Sequence, residues 1–198
     1  MPANAGPESF RLPPPLLLGD STATASRSTL LREVGVAGAA IGAGFLLDDT
    51  IEPGSGEDTF VDNAGNALGS VYVLGGGTAL IALDGWVEHD AGTLGLAKDL
   101  GLSLAATTAT VAALKATIDR ERPDGSDNHS FPSGHAANSF AAATVLDRRY
   151  GGAVGWIAYG AAGLVAASRV IGNHHWFSDV VTGAVIGRFY GRLATREP

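Results

Sequence analysis

SRVIGNHHWFSD, Ser168–Asp179, is the stretch of the chain on which its fold and chemistry depend most. It sets an arginine, two adjacent histidines and an aspartate among apolar residues, in a chain that has five histidines. His175 and Asp179 are four residues apart, so they are neighbours on one face of a helix. The carboxylate can then hold one imidazole nitrogen protonated and leave the other free as a base or nucleophile. A single histidine is more often a hydrogen-bonded core residue, so the interpretation depends on the rest of the chain.

Composition limits the class of protein and the partners that it can bind. The chain has 198 residues, long enough to bury a hydrophobic core as a single domain. With 13 Lys and Arg against 20 Asp and Glu, its net charge of −7 argues against nucleic acid as a partner. It has no cysteine, which excludes disulfides, thiol catalysis and cysteine zinc sites. A phosphate-bearing small molecule is compatible with this composition, provided that its site is locally basic.

The start of the chain is expected to be an irregular N-terminal arm over residues 1–28, followed by a helical domain over residues 29–198. Pro13–Pro15 cannot lie inside a helix. The first residues also lack the basic leader and long apolar core of a signal peptide. The motifs that suggest a function all fall within residues 115–179, in the helical part.

Small residues dominate that part and predict closely packed helices. The chain has 28 glycines, and runs such as SLAATTATVAAL (residues 103–114) let helix axes approach closely. Strand-like alternation is weak, so we predict an all-α fold, a single-domain bundle of about six helices. The helices are expected at Thr29–Leu47, Ala67–Leu83, Ala91–Asp119, His135–Arg149, Ala153–Ile171 and Trp176–Ala194.

Several runs without charged residues raise the question of a membrane, since a spanning helix needs about 20 apolar residues. The best candidate, Tyr150–Ser168, is rich in Ala and Gly rather than in Leu and Ile. Buried helices of a compact, non-spanning bundle fit these lengths better, and integral membrane placement is the less favoured alternative. Peripheral membrane contact and the oligomeric state stay open.

Two charged segments are expected to be ordinary surface features. The acidic segment Leu47–Asn66 is interpreted as a solvated loop, because its acids lack the spacing of a calcium-binding loop. Arg188, Arg192 and Arg196 recur every four residues, and they are expected to offset the negative end of the last helix.

Two further polar motifs precede the opening stretch. KATIDRERP, residues 115–123, places Lys115 and Arg122 seven residues apart, two helical turns, and the proline that follows ends the helix. SFPSGHAAN, residues 130–138, has the features of a helix N-terminus with Ser133 near the N-cap. Such a terminus exposes unpaired N–H groups and a partial positive charge, which suit phosphate. Each motif alone is more simply an ordinary helix end.

Taken together, the three motifs resemble the signature of the type 2 phosphatidic acid phosphatase and vanadium haloperoxidase superfamily. Residue types, order and spacing all agree, and the agreement covers Lys115–Asp179 in the C-terminal half. The resemblance implies a helical bundle that brings the three motifs to one phosphate-binding pocket. The matching positions are Lys115, Arg122 and Pro123; Pro132, Ser133, Gly134 and His135; and Ser168, Arg169, His175 and Asp179.

The resemblance implies a phosphate-binding role for five of these residues. Lys115, Arg122 and Arg169 would neutralise the phosphoryl oxygens. Ser133 and the N–H of Gly134 would donate hydrogen bonds to them. Phosphoryl transfer depends mainly on positioning and charge stabilisation, so three cations around one dianion suit that chemistry. No metal and no cofactor is implied, although vanadate or phosphate is expected to fit the same site.

The resemblance also divides the catalytic work between two histidines. His175 would attack phosphorus to form a phosphohistidine, with Asp179 orienting its ring, and His135 would protonate the leaving alkoxide. By spacing, His174 is expected to point elsewhere, towards the pocket rim or an adjacent helix. His129 lies just before the second motif, and it either lines the substrate entrance or is simply exposed in a loop.

The reaction and the substrate stay partly open at this point. The favoured function is a metal-independent phosphatase acting on phosphomonoesters or diphosphates, whether lipid, isoprenoid or soluble. The alternatives are a vanadate-dependent haloperoxidase and a catalytically inactive helical binding module. A metal-dependent hydrolase is less favoured, because adjacent His174 and His175 diverge by about 100° on a helix. By resemblance alone, we expect an extracytoplasmic bacterial enzyme, in the periplasm or on the outer face of the cytoplasmic membrane.

Overall fold

The computed structural model describes residues 21–55 and 60–195, apart from the side chains of residues 21–28 and of residue 30. Within these residues the chain forms helices and no strand, which confirms the predicted all-α fold, with seven helices rather than about six. The helices are α1 (Ser21–Leu47), α2 (Phe60–Gly69), α3 (Val71–Val87), α4 (Ala91–Thr117), α5 (Gly134–Tyr150), α6 (Gly152–Ile171) and α7 (Phe177–Ala194).

The first helix begins earlier than the sequence suggests. α1 starts at Ser21 rather than at Thr29, so residues 21–28, expected in the irregular arm, are helical. Residues 1–20 lie outside the described residues. The chain divides into two compact units, residues 1–36 and residues 37–198. The described part of the first unit is the beginning of α1, and the second unit contains all three motifs. The predicted domain limit between residues 28 and 29 stays a prediction.

The expected second helix, Ala67–Leu83, is wrong in its bounds. α2 begins at Phe60, inside the segment expected to be a loop, and it ends at Gly69. Ser70 then adopts an extended conformation (φ −66°, ψ 130°), and its Oγ accepts a hydrogen bond from the backbone N–H of Tyr72. Serine is a favoured N-cap because it satisfies one of the free N–H groups of the new helix. α2 and α3 are consequently separate helices that meet at a bend of 49°.

Helix α5 lies at the centre of the second unit, where it packs most extensively against α7 and also against α6 and α4. Glycines on α7 allow its backbone to approach that of α5 closely. A Cβ placed on Gly187 would lie 2.0 Å from the carbonyl oxygen of Ala137, and one on Gly183 would lie 2.4 Å from that of Ser133. Only residues without a side chain allow the two helix backbones to pack this closely.

Successive helices from α4 to α7 run in opposite directions, so the three motifs meet at one end of the bundle. α4 and α6 end there, at Thr117 and Ile171, while α5 and α7 begin there, at Gly134 and Phe177. We call this the motif end, and we call the end where α5 finishes the opposite end. Arg149 of α5 binds Asp99 near the start of α4, at 2.8 Å, which fixes the opposite end.

Several helices expose apolar side chains, contrary to the expected soluble bundle of buried helices. On α6, Trp156 is 82% exposed, Ile157 72% and Leu164 68%. By length and composition, α4 and α6 are apolar enough to cross a membrane, and the bent pair of α2 and α3 could form a third crossing. The expectation that Tyr150–Ser168 is a buried helix is therefore wrong: most of the large apolar side chains of α6 lie on the surface.

Candidate active site

The backbone at the motif end ties the three motifs together. In the segment between α4 and α5, Arg120 N–H donates to Asn128 O and Ser130 N–H donates to Arg120 O, both at 3.0 Å. Ser133 N–H in turn donates to Asp179 O at 3.0 Å. The first motif is thus bonded to the second, and the second to the third, as a shared pocket requires.

His175 and Asp179 lie at the centre of this arrangement. Asp179 is fully buried and His175 is 4% exposed. His175 Nδ1 faces Asp179 Oδ2 at 3.5 Å, longer than a hydrogen bond, and Nδ1 has no other partner among the described residues. Nε2, at the other side of the ring, lies 3.5 Å from Arg122 Nη1. The two ring nitrogens therefore face groups of opposite charge.

Asp179 is held by three donors besides its contact with His175. Oδ2 accepts from the Ser130 hydroxyl and from Trp176 N–H at 2.9 Å. Oδ1 accepts from Arg120 Nη1 at 2.6 Å. Burial would raise the pKa of Asp179, but the contact with His175, the hydrogen bond from Ser130 and the charge of Arg120 together hold that pKa below its ordinary value. Asp179 is therefore a carboxylate at neutral pH.

His175 is neutral at neutral pH for the opposite reason. Burial lowers its pKa to about 4, and the positive charges of Arg122 and Lys115 act in the same direction, while the contact with Asp179 opposes them. A neutral imidazole has a free lone pair on one nitrogen. Because Nδ1 faces the carboxylate, the lone pair belongs on Nε2, towards Arg122.

Two predicted phosphate ligands, Arg122 and Lys115, lie beside His175. Arg122 Nη1 donates to the carbonyl oxygen of His174 at 3.0 Å, and its Nε binds Asp127 at 2.8 Å. Lys115, in the last turn of α4, donates to the backbone carbonyls of His129 and Ser130, the second at 3.3 Å. Both cations are anchored by the loop between α4 and α5, and their charges act on His175.

The second motif forms the start of α5, as the sequence predicts. Ser133 is fully buried, and its Oγ caps the helix by accepting from Ala136 N–H at 3.5 Å. Gly134 and His135 follow as the first helical residues. Burial lowers the pKa of His135 to about 4, and the charges of Arg169 and His175 add to this effect. These charges act on His135 because the side chains share one region of the structure.

Arg169, the third predicted phosphate ligand, is only 2% exposed, and helix α2 supplies most of its partners. Its Nη2 donates to Asp62 Oδ1 and to Asp62 O, both at 2.8 Å, while Nη1 donates to Asn66. Its Nε donates to Ser168 Oγ at 3.1 Å. One N–H on Nη1 has no acceptor among the described residues. The predicted contact of Arg169 with phosphate stays a prediction, and this N–H is the one available for it.

The two remaining histidines of the region have different surroundings. His174 turns away from Asp179, as expected, and contacts helix α2: its Nε2 lies 3.2 Å from Asp62 Oδ2, and its Nδ1 lies 3.5 Å from Asp124. The His129 side chain is 63% exposed in the loop. His129 therefore corresponds to the simpler of its two sequence interpretations, an exposed loop residue.

Two acidic residues that help to build the site were not predicted from the sequence. Asp48 and Asp62 belong to the segment interpreted as a solvated loop, yet they are 8% and 3% exposed. Asp48 binds Arg120 at 2.7 Å and accepts from the backbone N–H of Ser178 at 2.8 Å, while Asp62 binds Arg169. Buried carboxylates need cationic or hydrogen-bonding partners. The sequence does not reveal which acids in the segment have such partners.

No group of three or more His, Cys, Asp or Glu side chains within the described residues is placed to hold a metal ion. A cavity of about 580 Å³ lies elsewhere, between α5, α6 and α7, and it is lined by residues such as Phe140, Tyr159 and Val185. None of the predicted site residues lines it. The candidate site is therefore the buried cluster of charged side chains at the motif end.

Comparison with known proteins agrees with this geometry. The sequence pattern of the PAP2 superfamily matches residues 124–197, which include the second and third motifs. A lipid A 1-phosphatase from Porphyromonas gingivalis is 40% identical over 95 residues, 46% of this chain and 21% of the relative. The chain thus spans about a fifth of that relative's length.

A solved structure also resembles this chain. The crystal structure of Aquifex aeolicus LpxE matches with a TM-score of 0.55 and 28% identity, covering 68% of this chain and 82% of that one. The family pattern includes the second and third of the three motifs that meet at the motif end, and the solved structure agrees with the fold. The chain is thus similar to the PAP2 superfamily over residues 124–197, and it resembles LpxE in its helical fold.

Proposed function

We propose that this protein is a metal-independent phosphatase that removes a terminal phosphate from a lipid phosphate ester through a phosphohistidine intermediate. The observation that supports it most is the placement of His175, buried, with Nδ1 towards Asp179 and Nε2 towards Arg122. A neutral imidazole held in this way is a nucleophile that faces cations, and a bound phosphoryl group would be attracted to those cations.

In the first step, His175 Nε2 attacks phosphorus, and the bond between phosphorus and the leaving oxygen breaks. Arg122, Lys115 and Arg169 offset the negative charge of the phosphoryl oxygens, each charged hydrogen bond contributing about 1.5–3 kcal/mol. His135 gives its proton to the leaving alkoxide. Since its pKa is about 4 in the free protein, His135 requires the bound dianion to raise that pKa before it can act as an acid.

In the second step, neutral His135 takes a proton from water, and the resulting hydroxide attacks phosphorus. The bond between phosphorus and Nε2 breaks, phosphate leaves, and His175 is neutral again. Asp179 keeps the proton of His175 on Nδ1 throughout, which leaves Nε2 available in every cycle. The chemistry needs only side chains at the motif end.

A lipid substrate is supported by the relatives and by the surface of the bundle. The matched relative is a lipid A 1-phosphatase, and the exposed apolar side chains of α6 suit a hydrocarbon surrounding. We propose that α4 and α6 cross the membrane, which replaces the sequence-based preference for a non-spanning protein. A phosphorylated lipid headgroup would then reach the motif end from the plane of the membrane.

We further propose that the motif end faces the outside of the cytoplasmic membrane. Basic residues of membrane proteins are concentrated on the cytoplasmic side. At the opposite end, α5 finishes with Arg148 and Arg149, and α7 carries Arg188 and Arg192 in its last two turns. The motif end also has arginines, of which Arg120 and Arg169 bind the buried acids Asp48 and Asp62. The four arginines at the opposite end support its proposed location in the cytoplasm.

The direct test is hydrolysis by the purified protein of a lipid phosphate, an isoprenoid diphosphate and a soluble phosphate ester, with and without detergent. We expect turnover of the lipid phosphate, and we expect His175→Ala to abolish it with unchanged helical circular dichroism. His89→Ala, at an exposed histidine between α3 and α4, is the matched control and should be fully active. Near-normal turnover by His175→Ala would contradict the assignment.

Inhibitors separate this mechanism from its alternatives. Vanadate should inhibit by binding in the place of the transferred phosphoryl group, while EDTA should have no effect. Loss of activity in EDTA would indicate a metal-dependent hydrolase. Oxidation of bromide by the vanadate-treated protein would indicate a haloperoxidase, and the absence of both activities with every substrate would indicate a binding module.

A further inference from the structure

Arg120 lies two residues before Arg122, in the same motif, but it contacts a different part of the site. Arg120 Nη1 donates to Asp179 Oδ1 and to Ser178 Oγ, both at 2.6 Å. Arg122 instead lies on the Nε2 side of His175. In extended backbone, residues two apart project to the same face. One short segment therefore supplies a cation to each end of the His175–Asp179 pair.

The Arg120 guanidinium is itself fixed from several directions. Its Nη2 binds Asp48 Oδ2 at 2.7 Å, and Asp48 also accepts from Ser178 N–H at 2.8 Å and from Ser178 Oγ at 2.6 Å. Its Cζ lies 5.1 Å from the ring centre of Phe45 and 5.6 Å from that of Trp176, within the range of cation–π contacts.

We propose that Arg120, clamped by Asp48, is a positioning residue that holds the Asp179 carboxylate in the orientation that directs Nε2 of His175 towards the phosphate. Asp179 Oδ1 has Arg120 as its partner, while Oδ2 accepts from Ser130 and Trp176 and faces His175. Removing Arg120 would leave Oδ1 of a buried carboxylate without its cation, and the carboxylate could rotate about its last bond. This inference rests on the proposed function.

A positioning role differs in its kinetics from phosphate binding. Arg120 makes no contact with the Nε2 side of His175, so its loss should lower kcat and leave KM and the inhibition constant of vanadate unchanged. Loss of Arg122 should raise the vanadate constant, since that residue faces the phosphate. In the Asp179→Asn background Arg120 has nothing left to position, so its further loss should matter little.

The experiment compares Arg120→Gln, Asp179→Asn and the double variant with Arg149→Gln, which breaks an arginine–aspartate pair at the opposite end and should behave as wild type. We expect Arg120→Gln to lower kcat by about 10- to 100-fold, the range found for outer-shell partners of catalytic histidines at metal sites. KM and the vanadate constant should stay within about twofold. The double variant should lose less than about threefold relative to Asp179→Asn.

Three outcomes would overturn the inference: wild-type kcat in Arg120→Gln, a rise in the vanadate constant parallel to that of Arg122→Gln, or losses that multiply in the double variant. If Arg120→Gln loses its helical circular dichroism, Arg120→Lys tests the inference instead, because a lysine lacks the planar fork with which the guanidinium binds the two carboxylates through separate nitrogens. Arg120→Lys should keep the wild-type KM and have a reduced kcat. A wild-type kcat in this variant would contradict the positioning role of Arg120. His175→Ala, assayed alongside, separates the proposals: turnover in that variant contradicts the proposed function, whereas fully active Arg120 variants contradict only this inference.

Discussion

The imidazole of His175 has two chemically different nitrogens because the groups on its two sides carry opposite charges. Asp179 lies on the Nδ1 side and Arg122 on the Nε2 side. Burial keeps the ring neutral, and the carboxylate determines which nitrogen carries the proton. The spacing of four predicted that His175 and Asp179 are neighbours, and the resemblance of the three motifs to a family signature implied their roles. His175 in fact lies before α7, which begins at Phe177, yet it still faces Asp179. The arginine that holds Asp179 was not predicted, because its contact depends on the tertiary fold.

Two histidines with lowered pKa values, the buried His175 and the half-buried His135, predict a pH dependence of stability. His175 and His135 have pKa values of about 4 in the folded protein, below the ordinary value of 6.5. Between about pH 4 and pH 6.5, the unfolded chain binds protons that the folded chain does not. The free energy of unfolding is therefore greatest above pH 6.5 and falls as the pH decreases. Each histidine contributes a slope of about 1.4 kcal/mol per pH unit.

This dependence is measured from melting temperatures between pH 6.5 and 5, above the range in which most carboxylates of an unfolded chain titrate. His135→Asn removes one titrating group, and its melting temperature should vary less with pH than that of wild type. His175→Asn should show a similar reduction. An unchanged pH dependence in both variants would contradict the lowered pKa values of these residues.

At the scale of the helices, the position of the site depends on the contact between α5 and α7. α5 carries His135 and α7 carries Asp179, so the distance between these helices sets the distance between two of the proposed catalytic residues. The close approach depends on Gly187, where a Cβ would lie 2.0 Å from Ala137 O. Backbone cannot move aside as a flexible side chain can, so the helices must separate if this position is filled.

Gly187→Ala should therefore destabilise the protein by about 1–3 kcal/mol, the usual cost of overpacking, and it should reduce kcat. Gly163→Ala is the matched control, because a Cβ on this glycine of α6 meets nothing within 4 Å. It should be neutral or stabilising by up to about 1 kcal/mol, through the better helix propensity of alanine. Equal effects of the two substitutions on melting temperature and kcat would refute the packing argument.

The sequence predicted the helices better than their connections. Periodicity and small residues indicate α4 to α7 to within a few residues, and the three motifs fall at their ends. The break at Ser70 was missed because a serine is compatible with both a helix interior and an N-cap. Asp48 and Asp62 were missed because the sequence of an acidic segment does not show which of its carboxylates have partners in the folded protein. Both are recognised only when Arg120 and Arg169 are placed beside them.

For the whole molecule, the central question is whether the bundle crosses a membrane, as proposed, and which end then faces outwards. The apolar surface was underestimated from sequence, because Ala and Gly lower the apparent hydrophobicity of α6 while its large side chains lie together on the outside. A chain without cysteine offers a direct test by single-cysteine labelling. Ser126→Cys lies in the exposed loop at the motif end, and Ala153→Cys lies at the opposite end, at the start of α6.

In intact spheroplasts, a membrane-impermeant maleimide should label Ser126→Cys and should not label Ala153→Cys. In inverted membrane vesicles the labelling should be reversed. Labelling of Ala153→Cys from outside would show that the motif end faces the cytoplasm. Labelling of both positions in spheroplasts would show that the bundle does not cross the membrane as proposed.

The most direct measurement of the mechanism is detection of the covalent intermediate. The protein is mixed with a lipid substrate carrying ³²P in its terminal phosphate, quenched within milliseconds, and digested to locate the label. We predict an acid-labile, alkali-stable phosphoramidate on His175 that is absent from His175→Ala. A protein that hydrolyses the substrate without forming a phosphoenzyme, or that carries the label on another residue, would contradict the account.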